Sequence, residues 1–425
     1  MNHYDVIIIG AGAAGISCAR NLILNGKKII ILEARNRIGG RVYDIHTETM
    51  GNLHIGASWL HHKGKKHILQ GLLDSFNIKY FKTDSLESNE NMVVYTDKGR
   101  LTKEENKKFI NILINLPKNI KKYGMKYPSF TITEVVHLIM KKYKYDTDLI
   151  NALITRAFEH SSVNADIMLA KEFDGWEING LFIKDGYGKL LSNMASNIPI
   201  KLNSVVKTIQ QRTENIMVTT NRTSYTSDYV VSTIPTGVLQ SGCVKFMPPL
   251  PKYKQDALNR LDSGNHEKIF LKFPTVFWDK DVEVFQYAAD EHRGVCSQWY
   301  NVLLKAENKK ILYANISGPD IEYAKKSNYE LKKISMSILR KIFGPNIPEP
   351  DDIYVSRWSL DKYTLGGPHA HPRNNGTMED LSIIGEPFGK IHFGGVDTSK
   401  DETETVEAAI LSGIRTSNEI LKLCE

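Results

Sequence analysis

The stretch HYDVIIIGAGAAGISCARNLILNGKKIIILEARNRIGGRV, residues 3–42, decides the fold. Val6-Ile7-Ile8-Ile9 is an unbroken β-branched run, the pattern of a parallel strand buried on both faces. Gly10-Ala11-Gly12-Ala13-Ala14-Gly15 follows. Next come ISCARNLILNG, an amphipathic helix predicted to end at Gly26, and KIIILE, a second buried strand. Gly10 permits the tight turn, Gly12 lets backbone approach a pyrophosphate, and Gly15 lets the helix pack close to the sheet. The helix N-terminus offers free N–H groups and a positive dipole to phosphates. Glu33 ends the second strand, where a carboxylate accepts hydrogen bonds from adenosine ribose hydroxyls. A lone GxGxxG is weak evidence. Strand, glycines, helix, strand and acid in this order predict dinucleotide binding in an α/β fold. At this point NAD and FAD both fit.

The remaining composition is that of a soluble globular chain. Its 425 residues are 41% hydrophobic and 24% charged, enough for two or three folding units with ample core. The net charge of +7 is spread over Lys- and Asn-rich segments such as KGKK (63–66) and KNIKK (118–122). These read as solvated faces and not as a nucleic-acid patch. Cys18, Cys243, Cys296 and Cys424 are scattered with no CxxC spacing, which predicts reduced thiols in a cytoplasmic setting and no metal site. The first strand leaves no room for a signal peptide, and no run reaches the roughly 18–20 apolar residues of a membrane span.

Arg35-Asn36-Arg37-Ile38-Gly39-Gly40-Arg41 places a glycine pair between arginines just beyond the ribose acid. Arginine gives charge-assisted hydrogen bonds to phosphate, and paired glycines let backbone pass close to the far half of a cofactor. This resembles the second fingerprint of the flavin amine oxidase family, and the cofactor it implies is FAD. The resemblance is closest to the polyamine oxidase branch and continues through Gly56-Ala57-Ser58-Trp59-Leu60-His61, the loop TGVLQ…FMPPLP (236–251), RWSLDKYTLGG (357–367) and IHFGGVDTSKDETETVEAAIL (391–411). It implies a Rossmann-like FAD-binding domain of the GR2 type, built from 1–75, 190–250 and 352–425. A discontinuous α+β substrate domain takes 76–189 and 251–351, with residues 66–160 mostly helical. The inserted helical tower of the histone lysine demethylase branch is not seen.

The resemblance also assigns roles. Lys268 matches the lysine that holds a water against flavin N5, where a lysine buried beside an apolar ring loses its charge easily and relays protons. Periodicity alone leaves Lys268 free to face solvent, since Lys272 shares its strand face. His61 matches a histidine that helps position the amine, and Glu159 a carboxylate that draws cationic amines inward; Asp174 is a weaker candidate. Gly56, Ala57, Ser58 and Trp59 pass beside the flavin, Trp59 also facing substrate. Val205 or Val206 offers a backbone contact to adenine, Trp358 lies near the ring, Gly395 belongs to the closing turn, and Val406 presents a backbone N–H to the isoalloxazine. Pro368 stands where monoamine oxidases carry their flavin-linking cysteine, so the FAD is expected to be non-covalent.

Four departures stand against the family pattern. Asp44 replaces Ser or Thr, Val396 replaces a glutamate, and Thr405 and Pro368-His369 replace the aromatic pair that would sandwich the amine. The activity implied is oxidation of a polyamine by hydride transfer to flavin N5, with O2 as acceptor and aldehyde, amine and H2O2 as products. L-Amino-acid oxidation needs an arginine clamp, which GASWLHH does not offer. A flavin-binding protein without catalysis is the second alternative. No second dinucleotide motif follows, so electrons come from an organic amine. The expected partners are that amine and O2, with no nucleic acid and no membrane, in a monomer or homodimer.

Overall fold

The structure, a computed structural model, describes residues 2–61, 68–83, 91–144, 147–162, 164–173, 175, 180–288, 294–317, 321–401 and 404–424. The side chains of 157–161 lie outside it. Two large sheets organise the chain. In the first, the strand His3–Ile9 lies between Ile29–Leu32 and Ser224–Ser232, parallel to both. Its register pairs Val6 with Ile29 and with Tyr229, and Val6, Ile7 and Ile8 have no exposed surface. That is what an uninterrupted β-branched run requires, because both faces are covered. Ile391–Phe393 adds a further parallel strand beside 224–232, and Val206–Gln211 with Ile216–Thr220 forms an antiparallel extension.

The helix Ala13–Leu24 packs lengthwise on the C-terminal helix Val406–Leu423, joining the two ends of the chain on one face of the sheet. Small residues make this approach possible. Ser17 Oγ reaches the Ile410 carbonyl at 2.8 Å, and a Cβ at Gly413 would stand 2.1 Å from the Ala14 oxygen. Gly15 likewise has no room, since its Cβ would meet the Gly10 carbonyl oxygen at 2.0 Å. Among the described residues, no helix is long and apolar enough to cross a membrane.

The second sheet runs in the order 352–355, 266–272, 311–317, 295–300, 284–287, 92–96, 99–100. Helices Lys103–Lys126, Ile132–Lys141 and Thr147–Ser161 lie beside it, the first two opened by Thr102 and Thr131 capping boxes. Residues 66–160 are mostly helical, as expected, but Met92–Thr96 and Gly99–Arg100 form a hairpin at one end of the sheet that the sequence reading did not separate. MVVYT has the β-branched alternation of a strand, and Gly99 at φ 106° makes the turn. Asp352–Val355, assigned to the FAD domain from sequence, is instead the opposite outer strand of this second sheet, paired with His266–Lys272.

Substituting Gly15 by Ala forces its methyl onto backbone that cannot swing away, at a cost of ~1–3 kcal/mol. Gly71→Ala, on an exposed helical site with nothing within 4 Å, is the control and is expected to be neutral or slightly stabilising. Urea denaturation midpoints of the two variants check this, and equal midpoints would contradict the packing described.

Candidate active site

A cavity of about 580 Å³ opens where the two sheets meet. Its wall includes Gly10, Gly12, Glu33, Arg35, Gly39, Gly40, Arg41, Gly56, Ala57, Ser58, Trp59, His61, Val205, Lys268, Trp358, Gly395 and Val406. The predicted site residues are therefore brought together, from segments spanning nearly 400 positions. Gly15 stays behind the wall as a packing residue. The Glu159 side chain and Asp174 lie outside the described residues.

At one end two glycine turns cross. Gly10 adopts φ 103°, and the following helix is capped by Gly12 with no side chain over its first amides. Gly39 N–H donates to the Ala11 carbonyl at 2.8 Å, and a Cβ on Gly40 would lie 3.4 Å from Gly12 Cα. Glu33, 5% exposed, accepts the Ala11 N–H at 2.7 Å and the Arg35 N–H at 2.8 Å, binding the turns to each other. The result is a backbone-lined, helix-capped slot suited to a pyrophosphate and its ribose.

The arginines do something other than the sequence suggests. Arg35 is spent on a bidentate pair with Asp361, at 2.6 and 2.7 Å, and on Thr364 Oγ1. Arg37 stacks 3.6 Å from the Tyr43 ring centroid and donates to the Ile38 and Gly40 carbonyls; burial and the neighbouring Arg35 charge push it down to about 10. Arg41 reaches the Gly367 and Pro368 carbonyls. The Arg35 and Arg41 guanidiniums fasten the second turn to the 361–368 loop, while Arg37 braces the turn itself. Val205 also differs: it lines the cavity beside Val206, but its N–H donates to Asn221 Oδ1 at 2.8 Å and its carbonyl accepts the Asn221 N–H at 2.9 Å. Asp44 has a clear structural use: it accepts His54 Nδ1–H at 2.6 Å and the Gly188 N–H at 2.8 Å, filling space that side chains at 186 and 188 would need.

The other end is aromatic. Strand alternation sends Glu267 and Lys268 to opposite faces. Glu267, fully buried, accepts from the Trp358 and Ser359 amides and from Ser356 Oγ; burial raises its carboxyl above the ordinary range. It fixes the segment whose Trp358 Nε1 donates to the Ile55 carbonyl. Lys268 enters the cavity wall and contacts the His54 carbonyl at 3.1 Å, the Gly56 carbonyl at 2.7 Å and Ser58 Oγ at 2.7 Å. Burial pushes it down to about 7, opposed by the Asp44 charge. The three partners suit either protonation state. An ammonium donates to all three, whereas a neutral amine donates to the two carbonyls and accepts from the Ser58 hydroxyl.

Trp59 Nε1 donates to Tyr313 Oη at 3.0 Å, and Tyr313 stacks on Tyr300 with centroids 4.8 Å apart. Neither tyrosine was singled out from sequence, because their position depends on the register that sets Lys268 opposite Asn315 and Phe270 opposite Tyr313. Arg156 was missed too: it is 7% exposed and lines the cavity from the helix Thr147–Ser161. Helical periodicity over LINALITRAF gave no sign of which face meets a cavity. At the start of the C-terminal helix Thr405 Oγ1 accepts the Ala408 N–H, and Val406 stands at the first helical position, where an amide has no intrahelical partner.

The family profile described as flavin-containing amine oxidoreductase matches residues 13–421. Lysine-specific histone demethylase 1 homolog 3 of Arabidopsis thaliana is 28% identical over 98% of this chain, which spans only 30% of that protein. Polyamine oxidase 5 of Oryza sativa subsp. japonica is 30% identical, covering 96% of this chain and 86% of its own. A putrescine oxidase structure with a redesigned cofactor site superposes with a TM-score of 0.82 at 20% identity, covering 99% of each chain. The chain belongs to the flavin-containing amine oxidoreductase family, and its cofactor is FAD.

The Lys268 environment predicts a pH-dependent stability. The folded value of about 7 lies below the ordinary 10.5, so the penalty of the buried ammonium is full below pH 7 and fades as pH rises toward 10.5. Lys268→Met removes it. The stability of Lys268→Met relative to the parent is expected to fall by about 1.4 kcal/mol per pH unit between pH 7 and 10. Denaturant titrations of both proteins across that range measure the difference; a difference independent of pH would contradict the depressed value.

Proposed function

We propose, from that membership, that this FAD-dependent amine oxidoreductase oxidises polyamines such as spermine, spermidine or their acetylated forms. The observation that carries the reading is Lys268, held by the Gly56 carbonyl and Ser58 Oγ in a cavity whose far end is a dinucleotide slot. Gly10, Gly12, Glu33, Gly39 and Gly40 would hold the nucleotide half of FAD, and Gly56–Trp59, Trp358, Gly395 and Val406 its ring half. The cofactor, when bound, supplies the two-electron acceptor for the carbon–nitrogen bond. The Val406 amide and the positive end of its helix favour negative charge beside them.

This chain's residues handle the amine and its protons. Lys268, pushed down to about 7 by burial, is partly neutral near pH 7; as Nζ takes a proton Ser58 Oγ switches from donor to acceptor, and it switches back when the proton is returned. His61, on the cavity wall, orients the substrate amine. Trp59, Tyr300, Tyr313 and Trp358 line the reacting end with apolar surface and limit water there. A secondary amine R–CH2–NH–R′ with O2 and H2O gives R–CHO, H2N–R′ and H2O2.

A specific observation favours a second reading. Buried Arg156 in the cavity wall is the kind of group that binds a carboxylate, such as the α-carboxylate of an amino acid. Anaerobic additions of spermine, spermidine, N-acetylated polyamines, putrescine and a set of L-amino acids to the FAD-loaded protein separate the two. Loss of the flavin's visible absorbance with a polyamine, restored by air with peroxide formed, is the expected result. Bleaching by an amino acid alone, abolished in Arg156→Ala, would replace polyamines by carboxylated amines; no bleaching by any amine would overturn both.

A further inference from the structure

His369-Ala370-His371 lies beside the cavity and is not used in the reading above. The segment leaves a bend at His369 and enters the short strand His371–Pro372, which pairs with Leu261–Asp262. The two imidazoles stand together, with ring centroids 3.8 Å apart and only 2–3% exposure. Glu404, two residues before the C-terminal helix, faces them: its Oε1 is 2.9 Å from His369 Nε2. One ligand atom from each of the three side chains falls within 4.8 Å of the others.

The hydrogen bonding of His369 orients it for an electron-pair acceptor. Its Nδ1 lies 3.1 Å from the Ala370 carbonyl, which can only accept, so the proton is assigned to Nδ1. A neutral ring then points the Nε2 lone pair at the Glu404 carboxylate, two electron-rich groups in contact. A second proton on His369 or a cation between the two would relieve this. An Nδ1–H to a backbone carbonyl is also how metal-bound histidines are commonly held. The backbone between the two histidines is itself anchored, since the Ala370 N–H donates to Asp397 Oδ1 and Asp397 Oδ2 accepts the Thr236 hydroxyl, both at 2.8 Å.

We propose that His369, His371 and Glu404 form a binding site for a divalent transition-metal ion of the zinc type. Two imidazoles and one carboxylate are the donor set that zinc and its first-row neighbours take, whereas calcium and magnesium prefer oxygen alone. Glu404 lines the cavity, as do Thr405 and Val406, so the ion would stand at the cavity edge. It would tie the His-Ala-His segment to the start of the C-terminal helix.

The test counts metal and does not depend on any amine being oxidised. FAD-loaded protein is stripped with chelator and titrated with zinc chloride, followed by elemental analysis after gel filtration. Cys243→Ser and Cys424→Ser are included as background, because those two thiols are exposed. One zinc per chain is expected, with affinity lowered at least about tenfold in His371→Ala and in Glu404→Gln. Glu404→Gln preserves shape, and unchanged flavin absorbance certifies its fold. No zinc retained by the parent, or equal zinc binding in parent and Glu404→Gln, would overturn the site and leave only a His369–Glu404 ion pair.

Discussion

Two glycine turns that touch are the constraint on which the cavity depends. Gly39 bonds to Ala11, Gly40 passes against Gly12, and the Glu33 carboxylate holds an amide from each turn. Gly39 and Gly40 take φ of 100° and 59°, backbone that favours glycine, and a Cβ at Gly39 would stand 2.4 Å from the Val42 oxygen. Once the turns are joined, the chain beyond them is directed toward the second sheet. The segment 54–58 then lies over Lys268, and the 361–368 loop is fastened by Arg35 and Arg41. The same contacts that shape the nucleotide end thus help place the reactive end.

Electrostatics divides the two faces of the strand His266–Lys272. Glu267 is satisfied by backbone amides and a serine hydroxyl, so its role is to hold Trp358. Lys268 is surrounded by two carbonyls and one hydroxyl, with no carboxylate at contact distance among the described residues, and burial dominates its titration. His266, next along the strand, is pushed down to about 3 by burial and by the Lys268 charge, so it adds no positive charge. Lys268 thus faces the cavity with a proton affinity near neutrality, which suits the proposed proton transfer to and from a substrate amine.

How much of this could be read from the sequence varies with distance along the chain. The first strand, its turn and its helix were legible, because each depends on neighbours within a few residues. The cofactor slot followed from the same spacing. Arg35 and Val205 were read as ligand contacts, yet Asp361 and Asn221 take them, and pairing across 326 and 16 positions leaves no local trace. The strand at 92–96 was absorbed into a helical reading although its β-branched run marks it. Tyr313, Arg156 and the His369–His371–Glu404 group depend on sheet register and helix orientation, which only the folded chain determines.

The central claim is that Lys268 is the proton-handling group of an amine-oxidising flavin site. Its most direct measurement is the single-turnover rate of FAD reduction by the best amine, followed against pH in the parent and in Lys268→Met. The parent rate should rise with an apparent pKa near 7, in addition to any step from the substrate amine, and Lys268→Met should be slower and lose that step. A Lys268→Met profile identical to the parent in rate and shape would contradict the account.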